Sequence, residues 1–445
     1  TCDLPLRRGL LYPLSYQGGT AVHILRYYVR MDKQKPSFDQ DRVHRMKLPR
    51  TVIVLGLVSF FNDVASDMVI PLIPILLATV LASGPIVLGL IEGIADALAS
   101  FLKLWSGRHT DVMGGRRKAL ALVGYTLSGF TRPLFGIAAS WLSVLLLRSI
   151  DRVGKGLRSA PRDALIADAA PTSIRGYAFG FHRALDNSGA VIGSLIAAAI
   201  LAWSGLDLAE VILWSAVPGV LAVALLIVGV KENHSGAENG GLNSVQIQPE
   251  QLPPLRWSSL SSSTQRYLMV LTLFTFARAS ETFIILLGYQ LGIGVVELLV
   301  IWAAINLSKA LTSTLGGQWA DRYGRGNVML TSWVAFAMAF LLLSFATSNV
   351  ELWAISILYG LFAGLGEGAE RALIVDYADP KERGTAFGWY HLTTGLAAIP
   401  AGLLFGSLWQ GYSAALAFLV ASGLAVMASI LLRLWAWPNY GRITK

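Results

Sequence analysis

The chain contains an internal repeat that constrains its fold more than any other feature of the sequence. The run RDALIADAAPTSIRGYAFGFH begins at Arg162, and the run ERALIVDYADPKERGTAFGWY begins at Glu370, 208 positions later and with no gap. A second pair of similar segments places Asp111 on Asp321, 210 positions apart. A duplication of this length predicts two homologous halves that fold alike.

The composition places these halves in a membrane. The chain has 445 residues, of which 54% are hydrophobic and only 14% charged. Soluble domains carry roughly 25% charged residues, and a soluble protein could not cover this much apolar surface. Cys2 is the single cysteine, so a disulfide within the chain is excluded, and the six histidines show no spacing typical of metal ligands. We therefore expect no metal and no cofactor.

Apolar runs long enough to cross a bilayer predict an all-α membrane protein with twelve transmembrane helices in two six-helix bundles. The predicted spans are 51–79, 86–106, 118–138, 141–168, 177–203, 208–230, 265–291, 295–319, 327–347, 350–376, 384–409 and 412–436. The polar, Gly-, Ser- and Pro-rich segment 231–264 is typical of a flexible linker. The predicted halves are thus residues 50–230 and 265–437, followed by a tail at 438–445.

Residues 1–49 precede the first predicted span. They lack the apolar core of a signal peptide, and Met31 and Met46 are both possible natural starts. We expect a disordered or non-native extension, with a basic segment that touches anionic lipid as the alternative.

The connections between the predicted spans alternate in charge, and this alternation predicts the orientation. Those on one side carry the basic residues, whereas those on the other side hold no Lys or Arg. By the positive-inside rule, both termini and the linker are cytoplasmic, in a multi-pass protein of the plasma (inner) membrane. The formal charge of +9 is therefore explained by membrane orientation rather than by nucleic-acid binding. The basic residues on the cytoplasmic side are Arg108, Arg116, Arg117, Lys118, Arg175, Lys231, Arg256, Arg322, Arg325, Lys381 and Arg383.

The loop after the second span of each half carries a glycine, acid and arginine motif. The first copy keeps Gly107, Asp111, Gly114, Arg116 and Arg117, with Val112 in the place of an arginine, and the second keeps Gly317, Asp321, Arg322, Gly324 and Arg325. Two copies at matching places in a duplicated chain resemble the major facilitator superfamily over about residues 50–437. The run DRVGKGLRSAPRDALIAD, from Asp151 to Asp168, looks like a poorly characterised prokaryotic branch of that family.

The resemblance implies a gating role for these loops. The acids Asp111 and Asp321 would each face the positive N-terminus of a helix in the opposite half, near Gly384 and Gly176 respectively. Such contacts exist when the cytoplasmic side is closed and break when it opens, so they would bias a two-state equilibrium. The alternative is that they are ordinary turn residues beside arginines that set the orientation.

Ionisable residues inside predicted spans are costly and mark candidate functional sites. Counting 1.5 Å per residue from the span ends puts five of them at mid-depth, where we expect them to meet: Asp63, Asp67, Asp96, Asp151 and Arg152. The resemblance implies that spans one, four, seven and ten line a central cavity. The full candidate set is Asp63, Asp67, Glu92, Asp96, Arg148, Asp151, Arg152, Lys155, Arg278, Glu281 and Glu367, with Arg132, Arg158, Asn306 and Lys309 nearby.

Two roles compete for these residues. A buried carboxyl group that is exposed alternately to each side can carry a proton, with Asp67 as the first candidate and Asp63, Asp96 and Glu281 behind it. The arginines and Lys155 would neutralise the acids or hold an anionic substrate. The alternative is a permanent ion-pair network that only joins helices, formed by Asp63, Asp67, Asp96, Arg148 and Arg152.

A further set of charges lies toward the cytoplasmic ends of the fourth and tenth spans. We interpret it as a conformational latch, and the alternative is side chains that extend to the membrane interface. The latch residues are Arg162, Asp168 and Arg175 in the first half and Glu370, Asp376 and Arg383 in the second.

These patterns and the resemblance predict a monomeric secondary transporter that works by alternating access. It would be proton-coupled and would move a small organic solute, with an anion or zwitterion favoured over a cation and export over uptake. The alternatives are a uniporter and a transporter-like receptor. An enzyme that acts on lipid is disfavoured because we find no P-loop, metal cluster or nucleophile-and-base signature.

Overall fold

The computed structural model describes residues 48–112, 117–171, 175–230, 256–278, 280–377 and 383–437. Residues 1–47 of the predicted N-terminal extension, residues 231–255 of the predicted linker and the whole predicted tail lie outside these ranges. The end of the predicted linker is described: it forms a 3₁₀ turn at Trp257–Ser259, and the next helix begins at Ser262. Within them the regular structure is helical, with no β-strand. The all-α prediction is therefore confirmed.

In its described residues the N-terminal half contains eight α-helices, because two of its six predicted spans are interrupted. They are α1 (Arg50–Asp67), α2 (Ile73–Thr79), α3 (Pro85–Val112), α4 (Arg117–Thr131), α5 (Trp141–Ala169), α6 (Arg175–Trp203), α7 (Leu208–Trp214) and α8 (Ala216–Gly229). A 3₁₀ turn at Pro133–Ile137 extends the third span beyond α4. The helix α5 begins where Ser140 and Ser143 form a capping box, which satisfies backbone groups that the first turn leaves free.

The C-terminal half follows the same order. Its helices are α9 (Ser262–Ala277), α10 (Thr282–Gln290), α11 (Val295–Tyr323), α12 (Arg325–Leu343), α13 (Asn349–Tyr377), α14 (Arg383–Gly411) and α15 (Ala414–Leu434). The side chains of Ser261 and Ser413 cap the first turns of α9 and α15.

Ten membrane-spanning candidates are found in the described part of the chain by length and hydropathy. The two remaining predicted spans are also helical but do not reach that standard. The helix α4 has only 15 residues, and α5 carries eight charged residues along its 29. The count of twelve spans therefore stays a prediction at these two positions.

The first and seventh spans are each broken at an acidic residue, whereas the sequence predicted continuous helices. The helix α1 ends at Asp67, and Pro71 and Pro74 allow the chain to restart only as a 3₁₀ turn and then as α2. The corresponding break lies between Ala277 and Thr282, with Glu281 at the N-cap of α10. Glu281 follows Asp67 by 214 positions, so the repeat includes the interruption as well as the acid.

The two halves contact each other along long helix pairs. The helix α3 packs against α14, and α6 packs against α11. A Cβ atom added at Gly89 would overlap the carbonyl oxygen of Gly402, and one at Gly93 would overlap the backbone of Ala398. Small residues at these crossings let the backbones approach closely, as is common between membrane helices. Beyond the two breaks, α2 also contacts α10, so apolar side chains close this end of the interface.

Candidate functional site

A cavity of about 370 Å³ lies between the two halves, next to the helix breaks. A second cavity, of about 400 Å³, adjoins it on the side of the C-terminal half. The two share wall residues from both halves, namely Asn187, Arg278, Glu281, Asn306 and Tyr359. We call the first the central cavity and the second the aromatic cavity, because Phe274, Trp333, Phe336, Tyr359 and Tyr390 line the latter.

The central cavity gathers most of the charged residues that the sequence singles out. Its wall includes all eight candidates of the first half and two of the second: Asp63, Asp67, Glu92, Asp96, Arg148, Asp151, Arg152, Lys155, Arg278 and Glu281. Glu367 lines the aromatic cavity instead. The five charges expected at one depth therefore share one wall.

A buried ion network joins helices of the N-terminal half. Arg148 donates from Nε and NH2 to the two carboxylate oxygens of Glu92, at 3.1 and 2.9 Å. Arg132 donates from Nε to Asp151 Oδ1 at 3.0 Å and from NH1 to the carbonyl of Asn62 at 2.7 Å. All four charged side chains are less than 5% exposed. This network differs from the one considered from the sequence, because its acids are Glu92 and Asp151 rather than Asp63, Asp67 and Asp96.

Asp67 links the two halves. Its Oδ1 accepts a hydrogen bond from the indole Nε1 of Trp302 at 2.8 Å, and Trp302 lies on α11 of the C-terminal half. Both side chains are buried. Because a tryptophan carries no charge, scanning predicted spans for ionisable groups could not find it.

Asp63 has an acidic neighbour that the sequence analysis missed. Its carboxyl group lies within hydrogen-bonding reach of Asp186 on α6, and it accepts a hydrogen bond from the Asn62 side chain at 2.8 Å. The signal for Asp186 was present, since it is an ionisable residue inside the predicted fifth span.

The acids of the C-terminal half are paired within that half. Glu281 forms an ion pair with Lys309 and accepts a hydrogen bond from the Tyr359 hydroxyl at 2.8 Å. Glu370, from the predicted latch, accepts from Arg278 at 3.1 Å and from the Tyr390 hydroxyl at 2.7 Å. Both acids therefore have a cation and a phenol as partners.

Two cations of α5, Arg152 and Lys155, have no side-chain hydrogen bond in the described part of the chain. Arg152 is nearly buried, and the nearest carboxylate oxygens, on Glu92 and Asp96, lie at 3.9 and 4.0 Å. Its Nε is buried and has no hydrogen-bond acceptor among the described residues. Lys155, one turn further along α5, has no ion pair within 4.0 Å in the described part of the chain.

The loops predicted to be cytoplasmic repeat one ion pair in both halves. Arg117 pairs with Asp168, and Arg325 pairs with Asp376, each 208 positions after its counterpart. Two predicted sets, the gating loops and the latch, therefore meet within each half. Gly324 has φ +92°, a conformation that favours glycine, which explains its place in the motif.

Part of these loops lies beyond what the structure describes. Arg322 is exposed, with its guanidinium 5.5 Å from the Tyr323 ring centre. The predicted gating and latch residues whose side chains lie outside the described set are Gly107, Asp111, Gly114, Arg116, Arg175, Gly317, Asp321 and Arg383.

Two remaining charged pairs lie on the side of the cavities that the sequence predicts to be cytoplasmic. Arg183 on α6 pairs with Glu367 on α13 at 2.9 Å, which joins the halves by a half-exposed ion pair. Arg162 pairs with its neighbour Asp163 at 2.9 Å. Of these two pairs, only that of Arg183 joins residues from different halves.

Comparison with known proteins identifies the family. The sequence model of the Major Facilitator Superfamily matches residues 55–308 and 282–444. The chain belongs to this superfamily. An uncharacterized transporter of this type from Methanocaldococcus jannaschii is 30% identical over 392 residues, which cover 87% of this chain and 95% of the relative.

Two further comparisons agree with this assignment. A Lactococcus lactis protein named as a homolog of a multi-drug resistance efflux pump is 25% identical, over 90% of this chain and 97% of its own length. The crystal structure of the nucleoside transporter NupG superposes with a TM-score of 0.66 at 14% identity, covering 87% of this chain and 99% of that one. The protein is thus a membrane transporter of the major facilitator fold.

Proposed function

We propose that this major facilitator protein is a proton-coupled transporter of a small organic solute. Its halves, residues 50–230 and 265–437, would rock about the central cavity and expose it to each side of the plasma membrane in turn. A wall made by both halves and rich in ionisable groups supports this proposal. The loops rich in Lys and Arg all lie on one side of the membrane, and by the positive-inside rule this side, with both termini, would be cytoplasmic.

The observation that carries the proposal is the hydrogen bond between Asp67 and Trp302. It joins an ionisable group at the break of α1 to the opposite half, so rocking must lengthen or break it. A hydrogen bond to a charged acceptor is stronger than one to a neutral acceptor, by about 1 kcal/mol or more. Protonation of Asp67 would weaken the link and favour separation of the halves, which couples proton binding to the conformational change.

The pair of Asp63 and Asp186 is the proposed second proton site. Two carboxyl groups within hydrogen-bonding reach can hold a proton between their oxygens. Both residues belong to the N-terminal half, on α1 and α6, so the pair moves as a unit and can store a proton close to Asp67. Asp96 and Glu281 rank behind these residues because Asp96 is about half exposed and Glu281 is held by Lys309.

Export is the proposed direction. The relative from Lactococcus lactis is named as a homolog of an efflux pump, and its similarity extends over nine-tenths of this chain. The proposed working unit is a monomer, because both cavities are formed within one chain.

The test uses purified protein in liposomes that contain a pH-sensitive dye. Organic anions, zwitterions and cations are added in turn to the wild-type protein, to Asp67→Asn and to Glu297→Gln. Glu297 lies at the start of α11 outside both cavities and serves as the matched control. We expect at least one class of solute to move protons with wild type and with Glu297→Gln, but not with Asp67→Asn.

Other outcomes discriminate against the proposal. Solute flux without proton movement would indicate a uniporter or another coupling ion. Normal coupling in Asp67→Asn would move the proton site to the Asp63 and Asp186 pair, which Asp186→Asn then tests. If Asp67→Asn and Asp186→Asn both retain proton coupling, the proposed mechanism is wrong.

A further inference from the structure

We propose that Arg152 and Lys155 form the binding site for an anionic group of the solute, a carboxylate or a phosphate. The organic part of the solute would occupy the adjoining aromatic cavity. The proposal rests on the transport function above, whose solute it assigns to the class of aryl or otherwise apolar organic anions.

The state of Arg152 is the first observation. The residue is 9% exposed, and its Nε is buried without an acceptor among the described residues. The two carboxylate oxygens nearest to its guanidinium lie at 3.9 and 4.0 Å, beyond the usual range of about 2.7–3.2 Å for a hydrogen bond. An unsatisfied donor in a buried charged group is costly, so an acceptor supplied from the cavity would stabilise this side chain.

Lys155 adds a second donor at the same place. It follows Arg152 by three residues on α5, so the two side chains lie on one face of the helix and both line the central cavity. A guanidinium and an ammonium side by side repel each other unless an anion lies between them. A carboxylate or phosphate bridging the two would remove this repulsion and accept hydrogen bonds from both.

The other cations that line the two cavities have partners within the protein, which makes the assignment specific. Arg158 has no carboxylate partner in the described residues, but it donates from NH1 to the Ser128 hydroxyl at 2.5 Å and lies over the Tyr125 ring. Arg148, Arg132 and Arg278 each donate to a carboxylate at 3.1 Å or less, and Lys309 pairs with Glu281. An incoming anion would have to displace an internal carboxylate from any of these four. At Arg152 and Lys155 it displaces none.

The acids near this pair have other partners or face water. Asp67 accepts from Trp302, Asp63 lies against Asp186, and the Asp96 side chain is 54% exposed. A cationic solute that approached these acids would be repelled by the positive charges of Arg152 and Lys155. The geometry therefore favours an anion over a cation at this position.

The aromatic cavity suggests what the rest of the solute looks like. The rings of Phe274 and Trp333 are stacked with centroids 4.1 Å apart, and the Phe336 ring lies 5.2 Å from Phe274. Such a wall offers apolar and stacking contacts to a planar group. Because the two cavities share wall residues, one molecule can reach both, with its charge at Arg152 and its ring at Trp333.

The experiment measures binding rather than transport, so it does not depend on coupling. Isothermal titration calorimetry is performed on the purified full chain in detergent without anionic lipid, at constant ionic strength. The probes share one ring and differ in charge: benzoate and phenyl phosphate, benzylamine, and benzyl alcohol. The variants are Arg152→Gln, Lys155→Met and the conservative Arg152→Lys. Arg433→Gln is the control, because Arg433 is exposed in the last turn of α15.

We expect benzoate and phenyl phosphate to bind wild type and Arg433→Gln. Arg152→Gln and Lys155→Met should weaken binding at least tenfold, and Arg152→Lys should weaken it less. Circular dichroism and gel filtration of each variant separate a lost site from a lost fold. If neither aryl anion binds wild type, or if all variants bind alike, the proposal is overturned. Preferential binding of benzylamine would also overturn it.

The outcomes separate this inference from the proposed function. Anion binding at Arg152 without solute-driven proton movement would support the site and contradict proton coupling. Proton movement driven only by cations, in liposomes, would support coupling and contradict the anion site.

Discussion

The buried pair of Glu92 and Arg148 gives the sharpest test of the energetics of this site. Its two hydrogen bonds, at 3.1 and 2.9 Å, join α3 to α5, and both side chains are less than 5% exposed. Removing one partner of a buried pair leaves an uncompensated charge and typically costs about 3–5 kcal/mol, whereas replacing both by apolar residues is often nearly neutral. We therefore expect Glu92→Leu and Arg148→Met to be destabilising singly and much less so together.

The surroundings set the expected order of the two single variants. Without Glu92, Arg148 keeps Asp151 at 3.8 Å, whereas without Arg148, Glu92 keeps only Arg152 at 3.9 Å. Asp151 retains Arg132 at 3.0 Å in either case. Both costs should thus be near the lower end of the range, about 3 kcal/mol each, with Arg148→Met the larger. The double variant should be more stable than the sum of the singles predicts, by at least about 3 kcal/mol.

The measurement is reversible unfolding of the four proteins in mixed micelles of a mild detergent and dodecyl sulfate, followed by far-UV circular dichroism. The control cycle uses Arg183 and Glu367, whose separation is also 2.9 Å but whose side chains are 43% and 41% exposed. An exposed pair should give a coupling energy of about 0–1 kcal/mol. Equal coupling in the two cycles would refute the reasoning, because it would mean that water screens the inner pair as well.

Three further predictions follow from single contacts. Gly89→Val should slow transport strongly, since its side chain would overlap the carbonyl of Gly402, while Gly423→Val, which has open space, should transport normally in the same liposome assay. Trp302→Phe should remove a hydrogen bond worth about 1.5–3 kcal/mol from a charged acceptor, and its effect on transport rate should not add to that of Asp67→Asn in the double variant. Arg117→Gln breaks a half-exposed ion pair, so it should change the unfolding free energy by less than about 1 kcal/mol. It should also alter the rate of the proposed opening on the predicted cytoplasmic side, measured by cysteine accessibility.

Much of this fold was predictable because a bilayer imposes a simple rule. A spanning helix must be long and apolar, and the predicted bounds agree with the observed helices to within a few residues at most ends. The breaks in the first and seventh spans were not predicted. Pro71 and Pro74 were visible signals for the first. The second contains no proline, and in the described residues the chain leaves the helical region at Arg278, with φ −82° and ψ 72°.

The sequence predicts which charged residues line the central cavity, but not which acid pairs with which cation. Charge inside an apolar span identified the residues that line the central cavity, because such groups are rarely retained without partners or function. Which acid meets which cation depends on side-chain direction and helix rotation, and these are set by packing rather than by spacing along the chain. For this reason Glu92 emerged as the partner of Arg148, and the neutral Trp302 as the partner of Asp67.

The pairing also divides the charged groups into those whose partners lie in the same half and those whose partners lie in the other half or in a ligand. In the proposed rocking motion, ion pairs within one half, such as that of Arg132 with Asp151, would move with that half as a rigid body and keep their distances. During the proposed transport cycle, two kinds of contact would change in energy: contacts between the halves, and hydrogen-bond donors that lack an acceptor until a ligand binds. The first group contains the hydrogen bond from Trp302 to Asp67, and the second contains Arg152. In the proposed mechanism, coupling of proton and solute to rocking would act through these few groups, because a ligand shifts an equilibrium only by its difference in affinity for the two states.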